Sequence, residues 1–468
     1  MRLCLDRRVA RHRWHWQLED TMTDLSQRGG IAVLHQGVTL EVVKGVPSAA
    51  LRYGVIFVSV FAFTLYWLSS LLLLAHNAGT YFGADSNVYG WIAYGNIEDR
   101  LTRFHPITSA MALTWMGAFK EFTAWIAPAY ILQAMFAMVG AAGVWAAMIA
   151  FSSVMPRPYV WLWGLIYAVS FGAWYFSSIP ESKIVTASLV SIYIALYMQL
   201  REQWTFRGAV VLTAILAVAC LNEIVSAFLV IIPAVETLLS RDWTWRKGRW
   251  IVAHGLVAPI ALIILEVIVE GFVIAPVPNA EGGSHLSMLL FYISINDHSA
   301  ASLYGFLLNW IFFNIAAPAQ DALYAVPLWP NYRAYFDPAL GAYLLRPTSL
   351  ILVVVFSVMM LTGMLFRQRN QTVQNADRIM LALAAYTLAR GAFFFIFNPP
   401  EALLFSPAVT LAHLLILAIF FMGSSFPAKR AILLVFAVLL FLTNYAFILH
   451  ANTGSVVIQS PATPQGQM

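Results

Sequence analysis

Eight side chains in this sequence have the types that chemistry on a phosphorylated substrate requires: Asp85, His105, Glu181, Lys183, Asn222, Glu223, Arg390 and Glu401. Each stands in or beside an apolar run, where an ionisable or strongly polar group is costly to hold and so needs a reason. A carboxylate placed there can act as general base on an acceptor hydroxyl or amine. Lysine or arginine can hold a leaving phosphate, arginine with two parallel hydrogen bonds. A structural reading stands beside each role. Asp85 fits an N-cap, since aspartate bonds the free N–H groups of a first helical turn. Glu181 with Lys183 fits a surface ion pair or an N-cap group starting the fourth span, Glu223 fits the cap of a short helix, and Arg390 fits a cation whose long stem reaches the interface.

The elements that must position these groups are helices in lipid. Of the 468 residues 60% are hydrophobic and 10% charged, against roughly 25% charged in a soluble domain. The predicted class is therefore all-α, a polytopic transmembrane helical protein with interfacial helices in its first outer loop. A bilayer is crossed by roughly 20 apolar residues. About eleven runs qualify, some of them short: 53–74, 125–151, 159–178, 184–200, 208–221, 224–240, 250–270, 349–366, 378–397, 404–422 and 431–449. Residues 1–52 read as a basic cytoplasmic tail, 53–451 as the membrane domain with outer loops 75–124 and 271–347, and 452–468 as a loose outer tail. The run 53–74 is too long for a signal peptide and reads as an uncleaved first span.

Basic residues mark cytoplasmic loops. With the amino end inside, 20 of the 27 lysines and arginines fall on inner segments, so the net charge of +5 reports topology and not nucleic-acid binding. The amino terminus is predicted inside and the carboxyl terminus outside. Asp85 then lies in the first outer segment, within the stretch YFGADSNVYGWIAYGNIEDRLTRFHP of residues 81–106. There Tyr94, Ile97, Leu101 and Phe104 recur at helical spacing, with Asp99 and Arg103 paired four apart on another face. This predicts a helix lying in the interface, stopped at His105-Pro106 and followed by a second one over Ile107–Ala124.

Glu181 and Lys183 fall in a tight outer turn after the third span, SSIPESK. The run 208–239 has arginine at both ends, Arg207 and Arg241, so the chain must go out and return. Two short helices meeting at Asn222-Glu223 satisfy that requirement. The segment 271–347 is long and aromatic, which argues for a functional loop, and its apolar stretch 301–317 reads as re-entrant or interfacial. Arg390 lies about two turns from the outer end of its span, and Glu401 follows just outside. In the span 125–151, Gly140, Ala141, Ala142 and Gly143 predict close approach of a neighbouring helix.

All eight residues thus converge on the outer face. No Walker loop, zinc spacing, nucleophile elbow or dinucleotide fingerprint occurs, so no soluble nucleotide donor is indicated. Cys4 and Cys220 lie far apart and imply no disulfide framework. A boundary site with carboxylates and a few cations suits a substrate with an apolar tail and a phosphate head, such as a polyprenyl-phosphate sugar.

This layout resembles the GT-C class of membrane glycosyltransferases, which includes the protein mannosyltransferases and the bacterial aminoarabinose transferases. The residues that carry the resemblance are Asp85 in FGADSNVY, His105-Pro106, the turn Ile179-Pro180-Glu181-Ser182 and the apex Asn222-Glu223. It implies transfer of a sugar from a polyprenyl-phosphate donor to an acceptor at the outer face of a bacterial inner membrane. Asp85 takes the place of the catalytic base; Arg390 and Lys183 take those of phosphate contacts. His105, Glu181, Asn222, Glu223 and Glu401 complete the expected substrate-binding set. Many members carry Asp-Glu where this chain has Asp85-Ser86; no cofactor is expected, and the need for a divalent metal stays open. Two other readings use the same features. A transporter or lipid flippase also builds its site from broken helices, and a non-catalytic membrane assembly subunit would keep the fold without the chemistry.

Overall fold

The computed structural model describes residues 49–74, 89, 92–94, 105–201, 204–240, 244–272, 293–294, 298–318, 323–327, 332–336, 343–367 and 371–452. Asp85, the interfacial helix expected around 94–104 and both tails (1–48 and 453–468) lie outside these residues. The chain divides into two units, Met1–Ile56 and Phe57–Met468. The first contributes only the opening turns of the first helix, and every contact discussed below lies within the second.

The architecture is helical, as apolar sequence without backbone partners from water dictates. In chain order the elements begin with α1 (Ala49–Leu74), α2 (Pro106–Ala118) and a 3-10 turn, Lys120–Ala124. They continue with α3 (Pro128–Ser152), α4 (Arg157–Val169), α5 (Phe171–Ser177) and α6 (Ser182–Leu200). Next come α7 (Phe206–Asn222), then a 3-10 segment Ile224–Val230 that runs into α8 (Ile231–Ser240). After α9 (Trp245–Gly255) and α10 (Val257–Phe272), α11 (Ala300–Leu307) continues as a π-helical turn to Phe313. The last are α12 (Pro347–Leu365), α13 (Gln371–Phe397), α14 (Ala402–Phe405), α15 (Pro407–Met422) and α16 (Lys429–Asn452).

Among the described residues seven helices are long and apolar enough to cross a membrane, or eight if the bent pair α4–α5 is one span. The sequence count of about eleven included three that are too short. Helices α7 and α15 hold 17 and 16 residues, about 25 Å at 1.5 Å per residue, less than the ~30 Å hydrocarbon core. The stretch 224–240 is also among the shorter apolar helices. Of these, α15 is buried along most of its length, whereas α7 and α8 keep exposed apolar residues such as Phe206 and Leu238. Helix α8 lies against α13, α7 against α6, and α15 against both α6 and α13. An antiparallel ribbon in the long loop, β1 (Leu323–Pro327) with β2 (Tyr332–Phe336), is the exception to an all-helical chain. In its register Leu323 pairs with Phe336 and Pro327 with Tyr332.

The third span departs from expectation. Instead of one helix over 159–178, the chain turns by 55° between α4 and α5. The break frees the N–H groups of Phe171 and Gly172, which donate to the carbonyls of Ile315 (2.8 Å) and Asn314 (2.7 Å) at the end of the α11 segment. In an apolar medium a broken helix persists only with such partners. Asn314 is fixed in turn: its Nδ2 donates to the Ser406 carbonyl (3.1 Å), and its Oδ1 accepts from the Thr410 hydroxyl (2.7 Å). Asn444 of α16 closes the same junction, donating to the Val169 and Ile315 carbonyls and accepting from the Ala317 N–H. Gly172 is required there, because a Cβ would collide with Asn314. The close approach expected of Gly140 and Gly143 is present: they pack on Ser177 and Ser188.

Candidate functional site

At one end of the bundle α6 begins, α7 ends, α8's leading segment begins and α13 approaches its last turns. Glu223 sits between the two short helices with extended backbone (φ −154°, ψ 109°), so its side chain leaves the apex sideways. Arg390 of α13 is fully buried and donates from Nη2 to Glu223 Oε1 at 2.5 Å. Lys183, in the first turn of α6, places Nζ 3.9 Å from Glu223 Oε2. One carboxylate therefore faces two cations. Burying such a set is tolerable only when the charges are close and well bonded.

The two cations also share an aromatic support. The Arg390 guanidinium lies 5.1 Å from the Phe394 ring centre, and Lys183 Nζ lies 4.6 Å from that of Phe405. These two rings are stacked on each other, 4.1 Å apart at 14°. Cation–π contacts strengthen as water is excluded. Arg390 Nε and Nη1 are buried with no hydrogen-bond partner among the described residues, as is Glu223 Oε2 apart from its ion pair. Unsatisfied donors of a buried guanidinium are costly. Their aim and charge suit an anion.

The apex is held by its neighbour. Asn222 Oδ1 accepts from both the Thr108 N–H (3.0 Å) and hydroxyl (2.8 Å), while its Nδ2 donates to the Thr186 hydroxyl (3.0 Å). The ring Nδ1 of His105 meets the Asn222 carbonyl at 2.9 Å. Asn222, expected to bind substrate, is thus occupied in tying α2 and α6 to the apex, and His105 secures the same carbonyl. Thr108 comes from the first turn of α2, so that helix reaches the site through it.

Glu181 is buried and accepts from the Ser182 hydroxyl (2.9 Å). The turn 177–183, expected at the membrane edge, is buried throughout. The reading of Glu181 and Lys183 as a surface ion pair is excluded by this: Lys183 pairs inward with Glu223. Arg390 likewise does not extend to the interface, because a carboxylate is available inside the protein at hydrogen-bond distance. Glu401 is buried on the 3-10 turn that joins α13 to α14. Phe394, Phe405, Thr108 and Thr186 were not singled out from sequence. Phe394 stands four residues after Arg390, a helical neighbour that spacing reveals; Phe405 has no such signal. Among the described residues no three His, Cys, Asp or Glu side chains gather as a metal set.

Fold and site together define a polytopic helical membrane protein with a buried cluster of one carboxylate and two cations at one end of its bundle. No family model matches the chain, and no curated protein sequence matches it. Among solved structures it is similar to ArnT from Cupriavidus metallidurans in the apo state, with 15% identity over 81% of this chain and 78% of that chain and a TM-score of 0.37.

Proposed function

We propose that this protein is an integral membrane glycosyltransferase of the GT-C type, moving a sugar from a polyprenyl-phosphate donor to an acceptor at the outer face of a bacterial inner membrane. The observation that carries this reading is the buried Arg390–Glu223–Lys183 cluster on the stacked rings of Phe394 and Phe405. Arg390 and Lys183 hold the phosphate of the donor; the free guanidinium donors supply its hydrogen bonds, and their charge stabilises it as it leaves. Glu223 keeps the two cations apart and in place. Asp85 removes the proton of the acceptor hydroxyl or amine as the sugar carbon breaks its bond to phosphate oxygen and bonds the acceptor atom. Polyprenyl phosphate departs with the electron pair, its tail in lipid. Asn222, His105 and Thr108 tie the start of α2 to the cluster. Glu181 and Glu401 contact the sugar or the acceptor.

Transfer of labelled sugar from a polyprenyl-phosphate pool in proteoliposomes tests the proposal. Wild type is expected to transfer. Asp85→Asn is expected to lose transfer while keeping its fold and its lipid binding. A wild type that transfers nothing but moves a solute or lipid across the bilayer would replace this reading with the transporter one, which the broken helices α4–α5 and α7–α8 also suit.

A further inference from the structure

The opposite end of the same helices carries a second polar site that sugar transfer does not use. The last turn of α6, the end of α8, the start of α9 and the first turns of α13 enclose a cavity of about 340 Å³. Its depth from the first site follows from helix geometry: Lys183 to Tyr197 along α6 is about 21 Å. Three cations face the cavity, Arg201, Lys247 and Arg378, with one carboxylate, Glu236. That carboxylate is already engaged. It accepts from Arg201 Nη1 at 2.6 Å and from the Tyr197 hydroxyl. Lys247 and Arg378 have no acidic partner among the described residues. Two positive charges are thus left facing a space of the size that small ligands occupy.

The lining gives the level of the site in the membrane. Lys247 and Asn375 begin two of the spans that cross it, so the cavity lies at the headgroup layer. Trp204 and Trp250 line it, packed edge to face at 4.4 Å. Indoles favour that layer, where one edge is wet and the other apolar. The second tryptophan also stacks on His254 (4.3 Å), whose Nε2 is bonded to the Tyr193 hydroxyl (2.8 Å). The wall is therefore held by a buried polar network and is preformed.

We infer that this cavity binds a phosphate-bearing anion, gripped by Lys247 and Arg378 with Arg201 in support, at the membrane face opposite the transfer site. A lipid headgroup and a free phosphate both present this chemistry. The inference stands whether or not the first site transfers sugar.

The test follows the thermal unfolding midpoint of the purified full-length chain in neutral detergent at constant ionic strength. Short-chain phosphatidylglycerol, short-chain phosphatidylcholine and inorganic phosphate are titrated separately into wild type and Lys247→Gln/Arg378→Gln. A saturable rise is expected with phosphatidylglycerol, with phosphate or with both, and its midpoint concentration should increase about tenfold or more in the double variant. A rise with phosphatidylglycerol alone identifies a lipid headgroup as the ligand. A rise with phosphate as well identifies the phosphate group itself. The inference is overturned if wild type responds saturably to neither phosphatidylglycerol nor inorganic phosphate, if zwitterionic phosphatidylcholine acts as well as anionic phosphatidylglycerol, or if the variant titrates like wild type. Should the double variant not fold, the single glutamine variants are read by the same criterion, and Lys247→Arg should retain binding because it keeps the charge.

Discussion

Arg390, Glu223 and Lys183 depend on one another in a way that single substitutions expose. Glu223→Gln leaves two cations buried without their counter-charge, and breaking such a set costs about 3–5 kcal/mol. A denaturant or thermal unfolding series should show a loss of that size, larger than for Asn222→Ala. That second change orphans Thr108 and Thr186 at about 1–3 kcal/mol. Arg390→Lys keeps the charge but loses the planar fork. The fold should persist while the donor concentration for half-maximal transfer rises about tenfold or more; unchanged donor dependence would remove Arg390 from phosphate binding. These three residues were legible because a carboxylate or an arginine inside an apolar run has no routine use. Phe405 was not. Phenylalanine is common in every span, so only the fold picks out the ring under Lys183.

Among the elements, the junction of α4, α5 and the end of α11 governs local stability. Gly172→Ala would drive a methyl group into the Asn314 side chain and backbone. Overpacking of that kind costs about 1–3 kcal/mol, so the variant should unfold at a lower temperature than wild type while Gly117→Ala, whose Cβ meets nothing, does not. The long spans were readable as continuous hydropathy, and the two-helix apex at Asn222-Glu223 was readable from its flanking arginines. The bend between α4 and α5 was not, because Phe171-Gly172-Ala173 is as apolar as a continuous helix. Its cause lies about 140 residues away in Asn314, beyond the reach of any local window. The turn 177–183 was readable as a link between two spans, but its burial was not: Lys183 is answered by Glu223 from another helix, which a loop of Ser, Pro, Glu and Lys does not disclose.

For the molecule as a whole, the distribution of arginine and lysine predicts which way up it sits. Cysteines placed at Lys120 and Arg207 in a Cys4→Ser background, with Cys220 left in its buried position, should react with an impermeant reagent from opposite sides of the membrane, Lys120 from outside. Exchange of the two sides would invert the orientation, and labelling of both from one side would rule out this path of the chain. The inner cavity was hidden from sequence by the same charges, since Arg201, Lys247 and Arg378 read as topology markers before they read as a site. The stitch between Phe171-Gly172 and Asn314-Ile315 has one more consequence, for biogenesis. At roughly 5–20 residues per second the ribosome needs on the order of 10 s to travel between them. Throughout that interval the broken span has no native partner for its open amides, and neither does Asn444, which emerges later still. The nascent chain must be sheltered at the insertion machinery until its carboxyl-terminal half arrives, so a truncation ending before Asn314 should be retained there or degraded instead of folding as a half-protein.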